Sequence, residues 1–392
     1  MRIAIVHDYF TQLGGAEKVA EEMFRIFPRA SLFSTVAFDD KMPAGLKDVP
    51  VHTSWMQLMP GIHRYYRLYF LLYPFAVRSL NLAHYDLVIS SSSGYVKGVS
   101  APRDAMHICY CHTPMRWVWN FDGYSERESM SPAMRVALRA LTSVLRQWDV
   151  GAARQPDHFI ANSKVVAERI QKAYGRTAEV IHPPIDVDRF QPSDEVDDYY
   201  MLLSRMVSYK RLDLAVEACT RLNKKLVVVG TGPQRKYLES IAGPSVKFLG
   251  RVRDSEVVRL ASRCRALLFP GEEDFGMAPL EVAAAGRPTI AFRAGGATET
   301  IVEGSTGSFF EQQTPEALME AIEQFERQQW APSDIRKHAE EFSVPIFRMR
   351  MTRFLERVGA PLRDADLNPV QEHLPSRYGI DTALGTRVAT SL

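Results

Sequence analysis

Short apolar runs of strand length alternate with helix-length segments along most of this chain, and the alternation starts twice. In the first half, residues 2–6, 31–36, 86–90, 106–110 and 157–161 read as buried strands. In the second half, residues 199–204, 225–229, 246–249, 266–269 and 289–292 do the same, with helices between them. Strand–helix–strand repetition calls for parallel strands covered by helices on both faces. Between the halves, Val180-Ile181-His182-Pro183-Pro184 breaks regular structure, and the stretch to Asp198 is rich in Pro and Asp. The expected architecture is therefore α/β: two doubly wound, Rossmann-like domains facing each other across a cleft between the C-terminal edges of their sheets. The first domain is set at 1–184 and the second at 185–342, followed by a helix over 343–359 and a tail over 360–392. A length of 392 residues is enough for two such cores.

Composition removes several classes of function. A net charge of +2 gives no case for general nucleic-acid binding. No apolar run reaches the roughly 18 residues a membrane span needs. The first residues, MRIAIVHDYF, lack a signal-peptide layout, and four cysteines suit a reducing compartment, so a cytoplasmic protein is expected. Cys109, Cys111 and His112 lie close in sequence, but one strand and no second pair cannot supply a zinc ligand set. Neither a metal nor a cofactor is expected. Gly230-Thr231-Gly232-Pro233-Gln234-Arg235 has an arginine where a dinucleotide fingerprint needs its third glycine, and no Walker-type loop is present.

The most informative stretch is 265–288, RALLFPGEEDFGMAPLEVAAAGRP. A strand is followed by three consecutive acids, Glu272, Glu273 and Asp274, and then by Phe275-Gly276-Met277. Pro279 suits the first position of a helix that Gly286 would end. Glu273 then lies on a loop beyond a strand's C-terminal end, and Glu281 lies in the first turn of the next helix. Such a corner binds ligands, and the helix N-terminus attracts phosphate. Two carboxylates beside a phosphate could hold sugar hydroxyls. Other strand ends in this half deliver Arg205, Lys210 and several glycines to the same edge. In the first half, Gly14-Gly15 opens a helix after the first strand, and His112 follows the strand at 106–110. Residues 62–80, IHRYYRLYFLLYPFAVRSL, combine aromatics with Arg64, Arg67 and Arg78. This segment is either a core-packed helix or a surface for an anionic membrane.

With these residues placed, the chain resembles glycosyltransferase family 4, retaining enzymes of the GT-B fold, from Met1 to about Gly359. The family carries two glutamates separated by seven residues, matched by Glu273 and Glu281, around a Gly-Phe-Gly-like core in which Asp274 stands where glycine is commoner. The resemblance implies that Glu273 faces the donor sugar and that Glu281 holds the nucleotide ribose. It also implies that Arg205 and Lys210 clamp the diphosphate, that Gly14, Gly15, Phe275, Gly276 and Met277 line the donor site, and that His112 serves the reaction from the first domain. His112-Thr113-Pro114-Met115-Arg116 and Ser208-Tyr209-Lys210-Arg211 look like a bacterial branch active in O-antigen or exopolysaccharide assembly. That branch implies transfer of mannose from GDP-mannose, without a metal, to a glycan or polyprenyl-diphosphate-linked glycan at the inner membrane face. A UDP-sugar donor, a nucleotide-sugar epimerase on a related fold and a non-catalytic binding subunit are the alternatives.

Overall fold

The computed structural model describes residues 1–120 and 132–368. Part of the expected tail, 369–392, lies outside the described residues. Two wholly parallel sheets form the framework. The first has seven strands: β1 (Ile3–His7), β2 (Ser31–Ser34), β3 (Val51–Thr53), β4 (Leu87–Ser92), β5 (Met106–Cys111), β6 (His158–Ala161) and β7 (Ala178–Val180). Their spatial order is β3-β2-β1-β4-β5-β6-β7. The second sheet holds β8 (Tyr200–Leu203), β9 (Leu226–Val229), β10 (Val246–Gly250), β11 (Leu267–Phe269), β12 (Thr289–Phe292) and β13 (Gly307–Phe310). Its order is β10-β9-β8-β11-β12-β13.

These orders follow from how the strands are buried. Along β1, Ile3 and Ile5 enter one apolar cluster while Ala4 and Val6 enter another. Successive side chains of a strand point to opposite faces, so both faces of the sheet are covered. The second sheet repeats this: Met201 and Leu267 pack on one face, Tyr200, Leu202 and Leu268 on the other. Each order reverses once, between β1 and β4 and between β8 and β11. Loops leaving the strands there diverge to opposite faces and open a crevice.

The helix Val344–Arg357 lies against the first sheet's core, where Phe347, Met351, Phe354 and Leu355 join Ile3 and Ile5. Arg348 also pairs with Glu22 at 3.0 Å. Residues Leu362 and Leu367 pack on the same core, and the Asn368 amide donates to the Ile26 carbonyl.

Several local expectations change. β3, β7 and β13 are strands that the apolar pattern did not reveal. Residues 62–80 do not form one helix: Ile62–Tyr65 and Tyr73–Arg78 are short helices joined by turns. Ser90-Ser91-Ser92 continues β4, and only a 3-10 turn, Val96–Gly98, follows it. Asp8 organises that turn, its carboxylate accepting from the Tyr95 and Val96 amides at 2.7 and 2.9 Å. The helix after β11 runs Met277–Ala284, so Pro279 is its third residue. Gly276 starts it at φ 83°, a conformation that side-chain-bearing residues rarely adopt.

Candidate active site

The second sheet's crevice gathers the charged residues. Arg205 and Lys210 follow β8, and Glu273 follows β11, the two strands at the reversal point. Lys210 Nζ lies 2.7 Å from Glu273 Oε1, with both side chains mostly buried. Gly271 makes this meeting sterically possible. A Cβ at that position would lie 2.7 Å from the Lys210 Cα, so only glycine lets the two loops touch backbone to backbone. Phe275 turns its ring inward, stacked on His182 at 5.3 Å between centroids and near Phe342. Its contribution to a ligand is therefore confined to backbone groups.

The first sheet faces this corner with the segment after β1. A Cβ at Gly15 would lie 2.7 Å from Met277 Sδ, so the Gly14-Gly15 turn and the start of the Met277–Ala284 helix are neighbours across the cleft. One turn into the helix Gly15–Ile26, Lys18 Nζ reaches Glu281 Oε1 at 2.8 Å. Arg205 Nη1 donates to Gln12 Oε1 at 2.7 Å. Glu273, Glu281, Arg205, Lys210, Gly14, Gly15, Gly276 and Met277 thus border one cleft, and each of the two acids meets a lysine.

His112 stands just past β5, on the first sheet's edge. Its Nε2 is 2.8 Å from Ser91 Oγ, and the same hydroxyl is 3.0 Å from His7 Nδ1. Burial, and then neighbouring His7, push the imidazole down to about 3, so His112 is neutral at physiological pH. A neutral imidazole can hydrogen-bond a hydroxyl without adding charge.

Around the cleft, further charged groups make pairings that the sequence did not reveal. Asp274 is bridged by Arg116, at 2.7 Å, and by Arg169, both from the first half of the chain. Arg169 also holds Glu272 at 3.0 Å. The Arg116 guanidinium lies over the Tyr209 ring at 4.9 Å, beside Lys210. Glu299 accepts from the Lys164 amide at 2.9 Å and the Val165 amide at 3.3 Å, capping a helix of the opposite domain, and pairs with His182 at 3.1 Å. Among the described residues, no group of three or more His, Cys, Asp or Glu side chains could hold a metal ion. The four cysteines are free and buried.

Comparison with known proteins agrees with this architecture. Residues 185–342 match the family model "Glycosyl transferases group 1", and residues 13–189 match "Glycosyltransferase Family 4". A GDP-mannose-dependent alpha-(1-6)-phosphatidylinositol monomannoside mannosyltransferase of Mycolicibacterium smegmatis is 26% identical over 53% of this chain and 60% of its own. The human alpha-1,3/1,6-mannosyltransferase ALG2 is 25% identical over 64% of this chain and 67% of its own. Relatives of this kind are matched over 56% to 67% of their lengths. The fold is that of Anabaena Alr3699/HepE, solved with UDP and glucose: TM-score 0.66, 18% identity, covering 91% of this chain and 99% of that one.

Proposed function

Because the chain belongs to the glycosyltransferases of group 1 and family 4, with the two-sheet GT-B fold, we propose that it transfers a hexose from a nucleotide sugar to a glycan acceptor. The observation that carries this reading is the Lys210–Glu273 contact at the reversal point of the second sheet, with Arg205 and Glu281 beside it and Gly15 opposite. Arg205 and Lys210 hold the donor diphosphate, and the helix N-terminus at Met277 adds amide donors. Glu273 accepts from hydroxyls of the hexose, and Glu281 exchanges Lys18 for the ribose hydroxyls.

The chemistry follows from these placements. The bond from the anomeric carbon to the leaving phosphate oxygen breaks as negative charge grows on the diphosphate. Fixed positive groups there are worth about 3 kcal/mol each, by analogy with oxyanion holes. The acceptor oxygen attacks on the same face, and its proton passes to the departing phosphate oxygen. Configuration is then retained without a separate general base. GDP-mannose is the preferred donor, since two relatives bear mannosyltransferase names and one of those names specifies GDP-mannose. The acceptor reading is a lipid-linked glycan in cell-surface polysaccharide synthesis. No described helix is long and apolar enough to cross a membrane. Contact with the membrane instead falls to the exposed basic-aromatic surface at 62–80.

The test is the shift in thermal unfolding midpoint with GDP, UDP, GDP-mannose and UDP-glucose in turn, followed by transfer assays. GDP-mannose is expected to stabilise the protein most. Lys210→Ala and Glu273→Ala are expected to lose about 100-fold or more in kcat while keeping the wild-type midpoint. Stabilisation by no nucleotide sugar, or wild-type transfer by either variant, would sink the assignment.

A further inference from the structure

Ser91 holds one hydroxyl proton and stands between two imidazoles. His7 ends β1, and Ser91 lies in register with it on β4, at the reversal point of the first sheet. Ser91 Oγ is 3.0 Å from His7 Nδ1 and 2.8 Å from His112 Nε2. All three residues are buried. The hydroxyl can donate to only one of these nitrogens and must accept from the other, so the tautomers of His7 and His112 are linked.

Glu17 decides the direction. It is 2% exposed, and its Oε1 lies 4.0 Å from His7 Nε2. Among the described residues its Oε2 has no hydrogen-bond partner, and it lies under the Gly14 turn, where a Cβ on Gly14 would approach to 2.9 Å. A carboxylate facing an imidazole nitrogen in a low-dielectric setting favours the proton on that nitrogen. His7 then carries its hydrogen on Nε2 and offers the Nδ1 lone pair. Ser91 donates to that lone pair, which leaves Ser91 Oγ to accept from a hydrogen on His112 Nε2. His112 Nδ1 keeps its lone pair, and no hydrogen bond to it is made among the described residues.

We infer that Glu17, His7 and Ser91 act as positioning residues that fix His112 as the Nε2–H tautomer, so that Nδ1 accepts a hydrogen bond from a hydroxyl of the transferred hexose. The role of His112 toward the hexose rests on the proposed transferase function, whereas the tautomer does not. The opposite direction would present Nδ1–H, a donor, and would select a different hydroxyl orientation. An outer partner that fixes a histidine's tautomer typically changes function by about 10–100-fold when removed, by analogy with metal-bound histidines.

The experiment is long-range proton–nitrogen NMR of the full chain labelled with nitrogen-15 histidine, with the His112 signals identified by their loss in His112→Gln. Wild-type protein without substrate is expected to show His112 in the Nε2–H form. Ser91→Ala is expected to shift it toward a tautomer mixture, to lower kcat by about 10-fold or more, and to leave KM and the unfolding midpoint near wild type. Nδ1–H in the wild type overturns the inference. So does an unmoved tautomer in Ser91→Ala, or an unchanged kcat beside a moved one. Absence of turnover in the wild type would instead defeat the transferase reading, because the spectrum is recorded without substrate.

Discussion

His107 and His112 sit at either end of the same buried strand edge and share one physical situation. Each ring is sealed from water, so its charged form is disfavoured. Burial pushes His107 down to about 4 even though Asp157 opposes the shift, and His112 goes down to about 3. In the unfolded chain both return to the ordinary histidine range near 6.5. Their folded-state values are depressed, so the stability they confer is complete above that unfolded value and is lost as pH falls toward the folded ones. Each histidine should remove about 1.4 kcal/mol per pH unit across the window from about 6 to 4. Urea unfolding at pH 7, 6 and 5 should show the midpoint falling through this window. His112→Asn should flatten the fall by about half, because one of two titrating groups is gone. An equally steep fall in that variant would show that His112 is not neutral in the folded protein.

At the scale of elements, the segment 62–80, taken with the turn at 55–58 before it, departs furthest from its sequence. A core-packed helix and a membrane surface were the two readings of it, yet the turns over 66–72 divide it into two short helices, and Gly61 at φ 62° sets these off from the 3-10 turn Trp55–Leu58. The inner side is well made: Met56, Ile62, Tyr73, Ala76 and Val77 are buried in the first domain's core. The outer side is not. Leu58 is 87% exposed, Leu68 70% and Phe75 66%, and Arg64, Arg67 and Arg78 are exposed in the same stretch. Apolar tips among arginines suit an anionic lipid surface, where each basic residue contributes about 1 kcal/mol. Reversing Arg64 and Arg67 to Glu together should weaken sedimentation with phosphatidylserine-containing vesicles by about 10-fold or more. Unchanged binding would remove the membrane face. This segment also marks the boundary of what the sequence could tell. The central strands were legible because burial on both faces makes them continuously apolar. β3 and β7 are edge strands of three residues each, with no buried residue to betray them. Within the cleft, Arg205, Lys210 and Glu273 were legible because each follows a strand end, whereas Glu281, expected in a helix's first turn, is the fifth residue of the helix Met277–Ala284. Arg169 was not, since it lies mid-helix and its partners Glu272 and Asp274 are more than 100 positions away.

At the scale of the whole molecule, the question is what holds the two domains at their present separation. Lys18–Glu281 and Arg205–Gln12 are single contacts with one exposed member each, worth about 0–1 kcal/mol. Asp274 differs: its carboxylate is 17% exposed and is shared by two guanidiniums, Arg116 and Arg169, from separate elements of the first domain. Removing it would leave two half-buried cations facing each other without their anion. That loss lies between an exposed pair and a buried one, about 2 kcal/mol, or about 30-fold in the ratio of closed to open forms. Glycine is commoner here in the family the sequence resembles, so Asp274→Gly is a natural variant to test. Its radius of gyration in solution scattering should rise, and its KM for donor should rise with it, while the two cores stay folded. Salt supplies the internal control, because the screening length falls to about 3 Å at 1 M. High salt should expand the wild type toward the variant and leave the variant unchanged. If both proteins keep one radius at low and high salt, Asp274 does not set the closure of the cleft, and the Gly15–Met277 contact and the Glu299 cap must hold it instead.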